Sequence, residues 1–293
     1  MKLSIVYCAR DDRYGDDYNC RKLRTNPEFA KKFVLKYNNV QRIKFTLEEN
    51  IKILNKYFEN NYEIVFIDWS PINEQYLYKN EELKTIFKDT HIKNIIVPNN
   101  IVKENHLNPK RFYEYFSKNI GIRHSQGEFI LIGNPDGILT EELIKNIKYT
   151  IENNKSKFYG RCYSRLDCDH ELKTIAEGLS FPKNGVIYDE IMGGPASGDF
   201  LLSKKSIFLE MTGFDEFICN GNQTMLDGKI VCKLYNNNIK PVLINGSLLH
   251  LDHNKHDRSG YPNNWTADYK NNNNWGFNNN KLQNIENNIF KLI

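Results

Sequence analysis

No stretch of this sequence holds the roughly 20 consecutive apolar residues that cross a bilayer as a helix, so no membrane span is expected. The opening, MKLSIVYCARDD, has one Lys and a short apolar run that meets charge at Arg10. A secretory leader needs a longer apolar centre and a small-residue cleavage site. The opening therefore reads as a first strand, and a soluble, cytoplasmic protein is expected. Neither sign of charge dominates: 40 Lys and Arg face 36 Asp and Glu, a net of +4. That balance speaks against nucleic acid as a partner. The six cysteines contain no CxxC pair, which leaves free thiols as the expectation in a reducing compartment. CYSRLDCDH brings Cys162, Cys168 and His170 together, but no second ligand pair follows at zinc spacing. Also missing are a GxGxxG after the first apolar run and a Walker A loop, so glycines do not cradle a phosphate here.

What the chain does have is an alternation. LSIVYCA (3–9), YEIVFIDW (62–69), IKNIIVPN (92–99) and EFILIG (128–133) are short apolar runs with the look of buried parallel strands. Between them, TLEENIKILNKYFEN places Leu47, Ile51, Leu54 and Phe58 at helical spacing, and NPKRFYEYFSKNIGIRHS reads as a second helix. TEELIKNIKYTIEN is a third, with Thr140 as its N-cap. This β-α-β rhythm predicts an α/β fold, a mostly parallel sheet covered by helices on both faces. After about residue 155 the segments shorten, with Gly-rich joints at GGPASGDF and FICNGNQTMLDG. With no internal repeat and no clear linker, one domain over 1–250 is expected, a nucleotide-binding half (1–155) fused to an acceptor half (156–250). The rest, 251–293, is an Asn-rich tail that is either an ordered wrap or partly disordered.

In an open parallel sheet, ligands bind beyond the carboxyl ends of the strands. Those ends carry Ala9-Arg10-Asp11, Asp68-Trp69 and Asn134-Pro135-Asp136. Each alone is ordinary turn chemistry; together they bring polar groups to one edge. A nucleotide without a glycine cradle can have its phosphates neutralised by Mg²⁺ or Mn²⁺, hard ions satisfied by one or two carboxylates plus phosphate oxygens. Asp136 suits that task. Asn134 offers a neutral carbonyl and is either a weaker ligand or a supporting group.

From KNIGIRHSQGEFILIGNPDG onward the order of motifs resembles family 2 glycosyltransferases of the GT-A fold. Asn119 and Gly121 match that family's Asn-x-Gly element, and Asn134-x-Asp136 stands at its Asp-x-Asp, in a form similar to some rhamnosyltransferase-like members. ASGDFLLSKKSIFLEMTGFDEF resembles its Gly-Asp-Phe strand, following helix and Gly-Phe-Asp-Glu. LDGKIVCKLYNNNIK falls at its Glu-Asp-Val-Asp-Leu, with Leu226 in place of the Glu. ARDDRYGDD, FIDWSPIN and HLDH bring the chain nearer to a GT-A-like branch with an Arg-Asp-Asp-x-Tyr-Gly start and a late His-x-x-His.

The resemblance implies an inverting, divalent-metal-assisted transfer of sugar from a UDP-, dTDP- or GDP-sugar to a hydroxyl on a glycan or glycosylated acceptor. It makes Asp227 the general base, which on its own reads as a helix cap or turn residue. It places Ala9, Arg10, Asp68, Asn119, Asn134 and Asp136 around the nucleotide sugar, with Asp68 accepting from the base. Arg10 is best placed for phosphate or base, whereas Arg21, Arg24 and Lys118 read as solvated charges. Asp199 and Trp265 are assigned to the acceptor side. Trp265 and Trp275 either stack on a sugar or pin the tail. His250 and His253 either flank a strand end at the surface or join Asp136 as metal ligands, the reading favoured here. Two other readings stay open: a GT-A-like protein that binds nucleotide sugar or glycan without turnover, and a sugar-1-phosphate nucleotidylyltransferase.

Overall fold

The computed structural model describes residues 3–11, 38–71, 75–169, 171–176, 199–216, 226–251 and 271–293. Strand β1 (Leu3–Ala9) is buried along its whole length. Helix α1 (Asn39–Phe58) starts well before the expected Thr46 because Asn38 and Gln41 form a capping box. Gln41 N donates to Asn38 Oδ1 at 2.9 Å and Asn38 N donates to Gln41 Oε1 at 3.2 Å. Strands β2 (Tyr62–Trp69) and β3 (Ile92–Val97) follow, then a short helix α2 (Asn99–Glu104).

Helix α3 (Glu114–His124) begins later than expected. Asn108-Pro109 makes a turn instead of a first helical turn, with Asn108 Oδ1 accepting from Lys110 N at 2.9 Å and Asn108 O accepting from Arg111 N at 3.0 Å. Strand β4 (Phe129–Gly133) turns through Asn134-Pro135-Asp136 into a short strand β5 (Gly137–Leu139). Helix α4 (Glu141–Asn153) has Thr140 as its N-cap, accepting from Leu143 N at 3.3 Å. The remaining elements are β6 (Phe158–Cys168), β7 (Thr174–Ala176), β8 (Phe200–Lys204), α5 (Lys205–Glu210), α6 (Leu226–Asn236), β9 (Lys240–Leu251), β10 (Leu282–Glu286) and β11 (Ile289–Leu292).

Among the described residues the eleven strands form one mixed sheet in the order β10-β11-β3-β2-β1-β4-β8-β6-β9-β5, with β7 paired to β6. Strands β11, β3, β2, β1 and β4 run parallel. β8 is antiparallel to both β4 and β6, while β6 and β9 are parallel to each other and β5 runs against β9. This pattern has one consequence for function. The carboxyl ends of β1, β2, β4, β6 and β9 and the starts of β5 and β8 all reach the same edge of the sheet.

Successive β1 side chains alternate between two cores, as a pleated strand buried on both faces requires. Leu3, Ile5 and Tyr7 join one with Ile43, Leu47, Leu54 and Phe58 of α1 and Leu143, Ile144 and Ile147 of α4. Val6 and Cys8 join the other with Ile120 of α3, Phe208 of α5 and Ile230, Val231 and Leu234 of α6. Truncating one of the fully buried Leu or Ile side chains here to Ala costs about 2–5 kcal/mol. Trp275 and Phe277 belong to the second core and are 4% and 1% exposed. Trp275 is therefore a pin: the segment 271–293 adds two strands to the sheet and packs inward. No helix among the described residues is long and apolar enough to cross a membrane.

Candidate functional site

Register assembles the site. Gly137 of β5 pairs with His250 of β9, and His250 pairs with Asp167 of β6, so three neighbouring strands bring their edge residues into a row. β5 is too short to hold itself there. The buried Asn50 of α1 clips it, donating to Gly137 O at 2.9 Å and Tyr7 Oη at 2.8 Å, while its Oδ1 accepts from Leu139 N at 2.8 Å. Leu251 N donates to Asp136 O at 2.9 Å, which closes the turn against the end of β9.

A chain of polar contacts crosses this edge. Lys118 Nζ donates to Asn134 Oδ1 at 2.9 Å, and Asn134 Nδ2 donates to Asp199 Oδ1 at 2.5 Å. Arg165 Nη1 donates to Asp199 Oδ2 at 2.6 Å, with Nη2 at 3.6 Å from Asp167 Oδ1. Asp167 Oδ1 meets His250 Nδ1 at 3.0 Å, and His250 Nε2 faces Asp136 Oδ2 at 3.6 Å. The chain explains why residue 134 is Asn. An amide can accept from Lys118 and donate to Asp199 at once; an Asp would set a second carboxylate against Asp199. Asn134 is thus a supporting group in this geometry.

Burial and charge compete at each member. Burial pushes the Asp199 carboxyl up, but Arg165 and His250 outweigh it and hold the group below the ordinary carboxylate range. Burial likewise opposes the charge on Arg165, and Asp199, Asp167 and Asp136 more than restore it. His250 is 4% exposed, a buried strand residue and not a surface histidine. Burial and Arg165 lower its basicity, yet Asp136 and Asp167 raise it above the ordinary histidine value. Lys118, expected as a solvated charge, has no exposed surface. Its ammonium is kept because Glu114 offsets the cost of burial.

The other expected residues divide into two groups. Ala9 and Arg10 end β1 on the same edge, and Arg10 Nη1 donates to Lys110 O at 3.0 Å. Asp68 ends β2 with no exposed surface, and its Oδ2 accepts from Tyr78 N at 3.1 Å. Burial pushes its carboxyl up to about 7 despite the Tyr78 and Leu77 amides. Asp227 lies in the first turn of α6, half-buried, near enough to the buried Arg161 for its charge to act on that guanidinium. α6 is moored by Asp215, which meets Lys229 Nζ at 2.7 Å and Lys233 Nζ at 3.2 Å. Asn119 stands apart from the edge. Its Nδ2 donates to Phe214 O at 2.8 Å and Glu216 Oε1 at 2.9 Å, and its Oδ1 accepts from Phe214 N at 2.8 Å. His253 and Trp265 lie outside the described residues, as does His170.

No family model matches the sequence, and no curated protein matches it. Solved structures do match in shape. TarS residues 1–349 from S. aureus shares 13% identity, covering 86% of this chain and 60% of that one at a TM-score of 0.51. The mannosyltransferase PcManGT of Pyrobaculum calidifontis, solved with GDP-Man and Mn²⁺, shares 10% identity over 85% of this chain and 56% of its own, TM-score 0.51. The catalytic domain of Drosophila β1,4-galactosyltransferase 7, solved with xylobiose, shares 12% identity over 100% and 93%, TM-score 0.50. The fold is GT-A-like. The chain spans less than two thirds of the length of the first two.

Within this GT-A-like frame, Arg165 and Asp167 are the residues that sequence reasoning missed. Both lie inside CYSRLDCDH, whose conspicuous metal-type residues are Cys162, Cys168 and His170. Cys162 and Cys168 are buried in different core clusters. The signal that marks Arg165 and Asp167 is two opposite charges, two residues apart on one face of a mostly buried strand. Among the described residues no group of three or more His, Cys, Asp or Glu is placed to hold a metal ion.

Proposed function

We propose that this chain transfers a sugar from a nucleotide-diphosphate donor to an acceptor hydroxyl, with inversion and with assistance from Mn²⁺ or Mg²⁺. The observation that carries the reading is the convergence of Asn134, Asp136, Asp167, Asp199 and His250 at the one sheet edge that also receives the ends of β1 and β2. Glycosyl transfer is also the activity for which two of the structurally similar proteins are named.

Ala9, Arg10 and Asp68 hold the nucleoside in this reading, and Asn119 acts by fixing the 212–216 loop. Asp136 and His250 fit a hard ion in part. The bond from Asp167 to His250 Nδ1 orients the ring so that Nε2 points at Asp136, the carboxylate–histidine arrangement common around metals. His253 is the candidate third ligand. A divalent ion bound there supplies Lewis-acid charge to the departing diphosphate. Asp227 takes the proton of the incoming hydroxyl as general base, while Asp199 and Trp265 face the acceptor. The transferred sugar passes through an oxocarbenium-like state.

A binder without turnover is the second reading. It is favoured by Asn134, whose amide is already committed to Lys118 and Asp199 and so cannot help hold an ion. Calorimetry of nucleoside diphosphates and their sugars, with and without Mn²⁺, tests both. Metal-dependent binding of one base that disappears in Asp136→Ala supports the donor site; no binding of any nucleotide overturns it. Turnover that is lost in Asp227→Ala with donor binding intact separates the enzyme from the binder.

A further inference from the structure

Asp136, Asp167, Asp199 and His250 are groups of the kind that ligate divalent ions, and they lie within one run of contacts. They do not form a metal cluster, and the reason is visible. Arg165, 11% exposed, places its guanidinium among the carboxylates. Asp199 has both oxygens committed, Oδ2 to Arg165 at 2.6 Å and Oδ1 to Asn134 at 2.5 Å. Asp167 Oδ1 is shared between His250 Nδ1 at 3.0 Å and Arg165 Nη2 at 3.6 Å. A guanidinium cannot lose its proton in a protein and its fork matches carboxylates, so it is a permanent occupant that repels a second cation.

We propose that Arg165 is the resident cation of this strand-end cluster, holding Asp167 and Asp199 out of divalent-ion coordination. Arg165 thereby sets how weakly the free chain binds a divalent ion. Asn134 works with it, since its amide takes the Asp199 oxygen that Arg165 leaves. The inference needs no nucleotide sugar and stands apart from the transferase reading.

The test is titration of the full chain with Mn²⁺ alone, read by calorimetry and by electron paramagnetic resonance of the free ion. Arg165→Met keeps an unbranched apolar stem but removes the guanidinium and its charge, and it is expected to bind Mn²⁺ at least about tenfold more tightly than wild type, the scale on which neighbouring groups tune metal sites. Arg165→Lys keeps the charge and is expected to stay at the wild-type affinity. An Arg165→Met chain that is folded by circular dichroism yet binds no more tightly overturns the proposal, as does an equal gain in Arg165→Lys. Should Arg165→Met not fold, the charge-balanced pair Arg165→Met with Asp199→Asn still frees Asp167. A gain in Mn²⁺ affinity there supports the proposal, and none overturns it. Failure of nucleotides to bind would sink the transferase reading and leave this result unaffected.

Discussion

Two half-buried acids in this molecule have opposite surroundings. Asp199 lies at the strand-end edge between an amide and a guanidinium, and it is held ionised below its ordinary range because Arg165 and His250 outweigh its burial. Glu216 lies beside α3, where Oε1 accepts from Asn119 Nδ2 at 2.9 Å and from Gly276 N at 2.6 Å. Its neighbours are mostly neutral donors, and burial pushes its carboxyl up to about 7. The first environment preserves charge in a place open to chemistry. The second accepts a half-neutralised acid as part of a clasp. Asn271 binds Thr212 O and Phe214 O at 2.6 Å each, and Arg123 lies over the Trp275 ring at 3.8 Å while donating to Trp275 O. Burial of a carboxyl alone therefore says little about function; the charge of its partners decides.

The largest effect that would break this contrast is chemical. Asp136→Ala is expected to lower kcat/KM of the proposed transfer by roughly 10³-fold, about 4 kcal/mol of transition-state charge stabilisation, with the melting temperature nearly unchanged. Steady-state kinetics alongside a thermal melt check it. A large loss of stability with a small kinetic effect would make Asp136 a turn residue and no more.

Asn119→Ala strikes the clasp instead. It removes three hydrogen bonds and leaves Phe214 N, Phe214 O and a buried carboxyl short of partners. A stability loss of about 3 kcal/mol follows, measured by urea unfolding, with Mn²⁺ affinity unchanged. The backbone makes the clasp intolerant in a second way. Gly213 has φ +65°, and a Cβ there would lie 2.3 Å from Asn119 Oδ1.

Much of the frame is legible in the sequence, and the reasons are local. β1 and β2 have the expected bounds, since a fully buried strand is a continuous apolar run. Thr140 caps α4 because capping is decided within four residues. What is not legible depends on pairing between distant segments. The row Gly137, His250 and Asp167 exists only after β9 chooses its register against both β5 and β6. Arg165 gains its meaning from Asp199, 34 residues on. Lys118 reads as solvated because a lysine in a helix usually is; nothing nearby in the chain announces Asn134 as its acceptor. Trp275 gives no sign of whether it stacks on a ligand or on its own protein until Arg123 and the core are in place.

Asn134→Asp sharpens the comparison by imposing charge on the amide's position. Asp199 would then face a carboxylate where it now accepts an N–H at 2.5 Å. Lys118 offsets part of the repulsion, so a loss of about 2 kcal/mol at pH 7 is expected. That loss should shrink on acidification as one of the two carboxyls takes up a proton. Urea midpoints of both proteins at pH 5 and pH 7.5 check it. A constant difference would place the cost in shape and not in charge.

The smallest expected effect is the pH signature of the clasp. Glu216 is raised from its ordinary range to about 7, so between about pH 4.5 and pH 7 the folded chain binds a proton that the unfolded chain has released. Stability from this group is therefore present at the acid end and is lost as pH rises through 7. Asp68, raised to about 7 by burial, acts with the same sign. His124 is lowered to about 4 by burial and by the charges of Lys93, Lys205 and Arg123, and it acts with the opposite sign, since the unfolded chain binds the extra proton between about pH 4 and pH 6.5. The net slope of the wild type mixes these groups with others that are shifted, Asp199 and His250 among them, and the difference from one variant isolates the clasp. Glu216→Gln keeps an oxygen to accept from Asn119 and Gly276 and removes the titration. It should match the wild type near pH 4.5 and exceed it by about 1 kcal/mol at pH 8, allowing for solvent screening of a partly exposed group. A pH-independent difference would mean that Glu216 stays ionised among its neutral donors. The contrast with Asp199 would then rest on geometry alone.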